Sequence, residues 1–104
     1  MQVGYGGDKS LEKLCTDEKE MKRKRADIAD KLPLRINALR QADNVEHLVT
    51  LDPLGWWHQL TGDRAGLWAG RVSKNHRILI RPEGETPGAT SVTVTVVAAG
   101  EDYH

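Results

Sequence analysis

The chain has 104 residues, the length of one domain with a modest hydrophobic core. Its fifteen basic and fifteen acidic side chains cancel, which argues against a protein that coats nucleic acid through bulk positive charge. No apolar run approaches the ~20 residues of a membrane span, so we expect no membrane association. The lone cysteine, Cys15, excludes an internal disulfide, and no signal-peptide pattern is present. Both features predict a cytoplasmic protein.

The first part of the chain is predicted to be one short strand followed by helices. Residues 2–5 have a weak strand pattern. Asp8 or Ser10 is a suitable cap for a short helix, and Thr16 for a longer one. Apolar residues then recur at helical spacing and predict one buried stripe, formed by Met21, Ile28, Leu32 and Leu39.

Two features complicate this helical region. Pro33 interrupts the apolar stripe and should kink the helix or begin a second one, with helix on both sides and an end near Ala42. The basic run 22–25 either contacts ribosomal RNA or forms a solvated helix face. Four consecutive residues point around most of a helical turn, which favours the solvated face. A helical turn over 44–51 and a loop over 52–55 complete the region.

Residues 56–81 combine strand patterns with a local positive charge. Strands are predicted over 56–60, 67–72 and 77–81, with a turn at 61–63 and a hairpin loop at 73–75. The segment holds all three tryptophans and one acid, Asp63, beside five basic residues: Arg64, Arg71, Lys74, Arg77 and Arg81. Five minus one gives +4, and such an excess beside aromatic rings suits a phosphate-bearing partner.

The remainder is predicted to be an exposed loop over 82–90 and a strand over 91–97. In that strand the valines alternate with hydroxyl residues, so Val92, Val94 and Val96 should face inward and Thr93 and Thr95 outward. The order of strand, helices and antiparallel strands predicts a single α+β domain over 1–104, with helices on one face of the sheet.

Three pieces of sequence occur in a recognisable order. They are His58-Gln59-Leu60-Thr61-Gly62-Asp63 with Gly66-Leu67-Trp68, then Arg71-Val72 with Asn75-His76-Arg77-Ile78, and finally Glu101-Asp102-Tyr103-His104. Together they resemble the HigB-type killer proteins of the RelE superfamily, which are toxins of toxin–antitoxin systems. The resemblance covers roughly the last half of the chain and implies a small RelE-like domain, with N-terminal helices packed on a mainly antiparallel sheet.

The resemblance also implies a function and a site. It points to a metal-independent endoribonuclease of a type II system that cleaves messenger RNA on the ribosome and is held inactive by a helix-turn-helix antitoxin. The implied catalytic set is His58, Arg77, Asp102, Tyr103 and His104. Histidine titrates nearest neutrality and can act as acid or base, and arginine offers a permanently charged fork for phosphate oxygens. Between His58 and His104, the sequence does not assign base and acid.

Other basic residues are candidates for contacts to the RNA backbone: Arg64, Arg71, Lys74 and Arg81. Each has an alternative as ordinary surface, and His58 alone is equally compatible with a structural strand residue. Nothing in the spacing of His58, Asp102 and His104 supports a zinc site, so we expect no cofactor. Of the tryptophans, Trp68 is predicted to build the core.

A second functional interpretation remains open at this stage. A catalytically weak or inactive member of the same fold would act by binding an antitoxin-like regulator or ribosomal RNA. The balanced net charge favours this alternative, as do Pro33 and Thr61, the latter standing where the resembling proteins usually carry lysine.

Overall fold

The structure, a computed structural model, describes residues 1–102. The helices are α1 (Lys9–Thr16), α2 (Glu18–Lys24), α3 (Leu32–Gln41) and α4 (Leu48–Leu51). The strands are β1 (Gln2–Gly4), β2 (His58–Gln59), β3 (Trp68–Ser73), β4 (His76–Pro82) and β5 (Thr93–Asp102). Two 3-10 turns occupy Pro53–Gly55 and Gly62–Arg64. Within this part of the chain, no helix is both long and apolar enough to cross a bilayer.

All five strands form one sheet in the order β1-β5-β4-β3-β2. The pairs β2–β3, β3–β4 and β4–β5 are antiparallel, whereas the first strand lies parallel to the last. The parallel pair requires a long crossover, which the helices between β1 and β2 provide. The predicted α+β architecture, with helices on a mainly antiparallel sheet, is therefore confirmed.

Carboxylates cap the first two helices. An Asp8 oxygen accepts the amide of Leu11 at 3.0 Å and begins α1, as one of the two predicted caps. The predicted cap of α2 is wrong, because Asp17 and not Thr16 accepts the amides of the first turn. The Thr16 hydroxyl instead donates to the carbonyl of Glu12 at 2.7 Å, at the end of α1.

Pro33 begins a helix and does not kink one. It occupies the first turn of α3, where a missing amide hydrogen costs nothing. The helix predicted on its N-terminal side is wrong in part, because α2 ends at Lys24 and residues 26–31 form turns. Those turns change the direction of the chain, and Ile28 and Leu32 both remain buried.

Nearby carboxylates balance the positive charges of the basic run 22–25. Every one of its side chains lies within ion-pair distance of a carboxylate: Lys22 of Glu18, Arg23 and Lys24 of Glu20, and Arg25 of Asp27. The Arg23 hydrogen bond to Glu20 lowers the pKa of that largely covered carboxyl. The run is therefore a locally balanced helix surface, as the solvated-face interpretation predicts.

The core lies between the helices and one face of the sheet. The predicted stripe of Met21, Ile28, Leu32 and Leu39 is buried throughout. It packs with Trp57 and with sheet residues that share a face: Trp68, Val72, Ile78, Ile80, Val94 and Val96. Each such side chain contributes about 1.5–3 kcal/mol when removed from water, which makes this layer the main source of stability.

The last strand departs from its prediction at both ends. It begins at Thr93 and runs on to Asp102, well beyond the predicted 91–97. Val92 precedes it and is 60% exposed, so its predicted inward orientation is wrong. Thr95 pairs with Arg81 but is buried, so its predicted outward exposure is not observed, and its hydroxyl donates to Glu83 at 3.2 Å.

The predicted strand over 56–60 is reduced to β2, and its first residues turn. Trp56 adopts left-handed backbone angles, with φ of 47°. Trp57 then points into the core and is 4% exposed, whereas Trp56 is 68% exposed. The two tryptophans therefore face opposite ways, because a turn of the backbone separates them.

Close packing of Trp57 on β3 depends on Gly70. A Cβ atom at Gly70 would lie 2.7 Å from a Trp57 ring carbon, closer than real Cβ contacts. The indole therefore lies directly on the β3 backbone, where any other residue at position 70 would displace it.

Gly70→Ala is expected to lower the free energy of unfolding by roughly 1–3 kcal/mol, because the added methyl overpacks the Trp57 contact. Urea unfolding measures the change. Gly88→Ala is the matched control, since no atom lies within 4 Å of a Cβ there. Equal, small effects of the two substitutions would contradict the proposed close contact.

Candidate active site

One open pocket lies on the sheet face opposite the helices. Its volume is about 410 Å³. It is lined by His58, Leu60, Thr61, Arg64, Ala69, Arg77, Leu79, Glu101 and Asp102. Four of the candidate site residues thus come together, although they are far apart in sequence: His58, Arg64, Arg77 and Asp102.

Sheet register places these side chains. His58 pairs with Ala69, and Ala69 pairs with Leu79, so the three lie in one cross-strand row on the same face. The next row along β4 places Arg77 between Arg71 and Glu101. Ala69 and Leu79 form an apolar floor, with His58 on one side and charged groups at the end.

The hydrogen bond of His58 determines what its ring offers to the pocket. Its Nδ1 lies 2.9 Å from the carbonyl oxygen of Trp56. A carbonyl only accepts, so Nδ1 carries the hydrogen and the neutral ring has its lone pair on Nε2. The imidazole is therefore held as a proton acceptor.

Arg77 is anchored to the β3–β4 turn. Its Nη1 donates to the carbonyls of Ser73 at 2.9 Å and His76 at 3.0 Å. These bonds hold a permanent positive charge beside Glu101, its cross-strand neighbour. The side chain thus has a structural role in the hairpin in addition to lining the pocket.

Charge in the pocket is balanced. Arg64 forms an ion pair with Glu101, and Asp102 lies opposite His76 in register. Two arginines therefore meet two carboxylates among the lining residues. The positive excess of segment 56–81 does not continue as an unbroken positive face here, because the end of β5 brings acids into it.

The remaining candidate residues are distributed elsewhere. Arg71 and Lys74 line a separate groove beside Trp56. Arg81 lines a third pocket, where its Nε lies 3.0 Å from a carboxylate oxygen of Glu83. Tyr103 and His104 lie outside the described residues. The predicted RNA-binding set is thus split, with Arg64 alone in the main pocket.

A second polar cluster, missed by the sequence interpretation, adjoins the pocket around His76. Its Nδ1 lies 2.7 Å from the Ser73 hydroxyl, and its Nε2 lies 3.5 Å from Asp102 and 3.6 Å from Asp27. Asp27 comes from the turn before α3, and nothing in the sequence links it to the end of β5. Glu101 stood in the terminal motif, but only the sheet register makes it the partner of Arg64.

Arg25 connects this cluster to the sheet. It donates to both oxygens of Asp27, at 3.2 and 3.1 Å, and to the carbonyl of Gly100 at 3.2 Å. The Arg25 hydrogen bonds hold the pKa of the Asp27 carboxyl below its ordinary value of 3.8. Over residues 1–102, no group of three or more histidine, cysteine, aspartate or glutamate side chains has a metal-binding arrangement.

Comparisons with known proteins bear on the fold. No protein-family model and no curated protein sequence matches the chain. A solved YoeB/ParE toxin from Agrobacterium tumefaciens is similar, with a TM-score of 0.57 and 22% identity, covering 99% of this chain and all of that one. The YoeB dimer from Staphylococcus aureus has a TM-score of 0.60 and 11% identity, over 99% of this chain and 98% of that one.

Asp27→Asn is expected to destabilise the fold at neutral pH by about 0.2–1 kcal/mol, as for partly exposed ion pairs. A carboxyl group whose pKa is lowered in the folded state stabilises the fold at pH values above its ordinary pKa, and this stabilisation is lost as the pH falls. The difference from the parent should therefore shrink as pH falls below the ordinary pKa of 3.8, and it should vanish below the lowered pKa of the folded state. Urea unfolding across this pH range measures it, with Asp30→Asn, an exposed neighbour, as the control. A difference independent of pH would contradict the assignment.

The similarities to the two solved toxins extend over nearly the whole length of each chain, and they are similarities of structure at low sequence identity. HigB in particular, the family that the sequence resembles, is not among the two named structures. The chain therefore shares the fold of the YoeB/ParE toxin from Agrobacterium tumefaciens and of YoeB from Staphylococcus aureus.

Proposed function

We propose that this chain is the toxin of a type II toxin–antitoxin system and an endoribonuclease that cleaves messenger RNA on the ribosome. The observation that carries the proposal is the convergence of His58, Arg64, Arg77 and Asp102 on one open pocket. The toxin fold supports the same class of function and implies an antitoxin partner. That partner is proposed to be a helix-turn-helix protein.

The chemistry follows from the groups in the pocket. The RNA 2′-hydroxyl loses its proton to His58 Nε2 and attacks the adjacent phosphorus, and the bond from phosphorus to the 5′-oxygen breaks. The products are a 2′,3′-cyclic phosphate and a 5′-hydroxyl. Arg77 supplies fixed positive charge for the phosphorane oxygens. His104, from the terminal motif, gives a proton to the leaving oxygen, with Asp102 and Tyr103 beside it in sequence. Every step uses side chains, so the proposed reaction is metal-independent.

His58 is the first test. His58→Ala is expected to slow cleavage by roughly 10²–10⁴-fold, the usual contribution of a general base. Induced expression followed by mapping of transcript ends measures cleavage in cells. His47→Ala is the matched control, because His47 lies at the start of α4 and does not line the pocket. Transcripts cut equally by the parent and His58→Ala proteins would remove His58 from the reaction.

Arg77 requires a test that separates chemistry from folding, since it also supports the hairpin. Arg77→Ala should reduce cleavage by about 10²-fold or more. Arg77→Lys keeps the charge but loses the planar fork, so it should lose activity with a smaller loss of stability. Thermal melting of both variants provides the comparison. A stable Arg77→Lys protein that cleaves like the parent would exclude the fork as the phosphate ligand.

A second candidate function is supported by the charge balance of the pocket. The pairing of Arg64 with Glu101, and Thr61 at the rim, leave less positive charge for RNA than the arginine count suggests. A catalytically weak or inactive toxin would then act by binding a regulator or ribosomal RNA. Growth arrest that persists in His58→Ala, without new transcript ends, would favour this candidate over the endoribonuclease.

Glu101→Gln should strengthen RNA binding, because it releases Arg64 from a full negative charge. One additional phosphate contact would make the dependence of log affinity on log salt steeper by about 0.7 for single-stranded RNA. Anisotropy with a short, non-cleavable 2′-O-methyl RNA measures this. Glu83→Gln is the matched control, since it releases Arg81 in a different pocket. Equal salt dependence in the parent and Glu101→Gln would mean that Arg64 does not meet RNA.

A further inference from the structure

A second concave surface lies beside the end of β3 that β2 does not cover, and we call it the Trp56 groove. Its volume is about 320 Å³. It is lined by Lys31, Arg35, Leu54, Trp56, Arg71, Val72, Ser73 and Lys74. We propose that it binds an unpaired nucleotide of RNA, whose base stacks on Trp56 while its phosphates contact Lys31, Arg71 and Lys74. The identity of this RNA as the substrate strand rests on the proposed function.

Trp56 is presented outward by a constrained backbone. It is 68% exposed, whereas Trp57 and Trp68 are 4% and 8% exposed. Across the described chain it is the one residue other than glycine with a positive φ. Bulky residues rarely adopt this conformation, and where they do the surrounding structure imposes it, often at a binding site. The indole is thus held in place before any ligand arrives.

The backbone of Trp56 is fixed on both sides. Its amide donates to the Pro53 carbonyl at 3.2 Å, and its carbonyl accepts from His58 Nδ1 at 2.9 Å. One residue therefore presents its ring to the groove and its carbonyl to the proposed general base. A nucleotide stacked on Trp56 would therefore contact the same residue that orients His58.

Arg71 adds positive charge to the platform. Its guanidinium carbon lies 5.8 Å from the centroid of the Trp56 ring, within the range of a cation–π contact. Aromatic rings with a neighbouring arginine are the usual platforms for unpaired bases, because every base has a face that can stack. The arrangement suits RNA of any sequence.

The charge of the groove distinguishes it from the candidate active site. Four basic residues line it, and none of its described lining residues is acidic. Arg35 is buried and paired with Asp52, so Lys31, Arg71 and Lys74 supply the charge toward solvent. The active-site pocket instead opposes two arginines with two carboxylates. Attraction for a polyanion is therefore greater at the groove.

The groove and the pocket lie on neighbouring parts of one sheet. Arg71 is the cross-strand partner of Arg77, so their side chains leave the same face. In this proposal, a single RNA strand contacts both surfaces along that face. The groove would then retain a strand whose reacting phosphate lies in the electrically balanced pocket.

A peptide added as an extra strand fits this edge less well. β2 pairs only with Trp68 and Ala69, so from Gly70 onward the edge of β3 that faces away from β4 has no partner strand in the described chain. Its carbonyls there are already used: Arg71 accepts from Arg35 Nε at 2.9 Å, and Ser73 accepts from Arg77 Nη1 at 2.9 Å. Strand addition needs such acceptors, so recognition here depends on side chains.

The experiment uses the whole chain and a short 2′-O-methyl oligoadenylate, which lacks the attacking hydroxyl and cannot be cleaved. An abasic oligomer of equal length reports phosphate binding alone. Trp56→Leu keeps an apolar side chain without the stacking face, and Trp56→Phe keeps an aromatic face. Val92→Ala is the matched control at another exposed apolar residue. Affinity is measured by anisotropy, and thermal melting verifies folding.

We expect Trp56→Leu to weaken oligoadenylate binding by about 5- to 150-fold, the range for loss of one stacked base. Trp56→Phe and the control should lose much less, and the abasic oligomer should bind parent and Trp56→Leu alike. Lys74→Ala should flatten the dependence of log affinity on log salt by about 0.7, whereas Lys19→Ala on α2 should not. Oligoadenylate bound equally by parent and Trp56→Leu would overturn the proposal, as would equal losses in Trp56→Leu and Trp56→Phe.

A peptide ligand is the opposing outcome. If an acidic peptide with interspersed leucines binds and loses affinity in Trp56→Leu, while oligoadenylate does not, the groove is a protein-binding surface and the RNA proposal is wrong. The result is separable from the proposed function. Normal oligoadenylate binding by Trp56→Leu with cleavage lost in His58→Ala would refute only the groove. Weakened binding by Trp56→Leu with no cleavage by the parent would refute only the endoribonuclease.

Discussion

A buried arginine connects the helices to the edge of the sheet, and both candidate surfaces depend on it. Arg35 on α3 is 4% exposed. Its guanidinium donates to Asp52 and to the carbonyl of Arg71, and the second Asp52 oxygen accepts Trp57 Nε1 at 3.0 Å. A buried charge is costly unless it is paired and fully hydrogen-bonded, so these groups hold one another in a single arrangement.

This network determines which way the following residues face. Trp57 is held inward by its bond to Asp52 and by its contact with the bare backbone at Gly70. The chain must turn sharply to deliver it, and Trp56 takes the left-handed conformation and remains outside. His58 then emerges on the opposite face, with its ring tied to the Trp56 carbonyl. The anchor in the core thus positions the proposed base and the proposed stacking platform.

Under the proposed function, the arrangement places most of the available positive charge outside the pocket that would carry out the reaction. Acids at the end of β5 offset the arginines of the active-site pocket, while the basic residues beside Trp56 have no acid among their described groove neighbours. An enzyme arranged in this way would hold a polyanion at one place and react with it at another. The neutral overall charge of the chain is then compatible with RNA as a ligand, because local distribution determines the attraction.

Local patterns in the sequence were sufficient for much of the fold. Helical spacing identified the stripe from Met21 to Leu39, an aspartate marked the start of α1, and a polar loop at 73–75 between two predicted strands indicated the hairpin β3–β4. These features depend on neighbours a few residues apart, where backbone geometry alone relates position to direction. The prediction for Thr16 was wrong because a neighbouring side chain, that of Asp17, competes for the same capping position. The prediction for Val92 was wrong because the strand begins one residue later, at Thr93.

The site was only partly accessible to the same reasoning. Sequence selected His58, Arg64, Arg77 and Asp102, but it also grouped Arg71, Lys74 and Arg81 with them, and the structure places these three elsewhere. The pairs Arg64–Glu101 and Asp27–His76 join residues from distant parts of the chain. Such contacts are set by sheet order, by the bulges between β4 and β5 and by the turn before α3. The sequence by itself determined which residue types were available for chemistry. Only the tertiary structure decided which charges meet, because Coulomb energy depends on distance in space and not on distance along the chain.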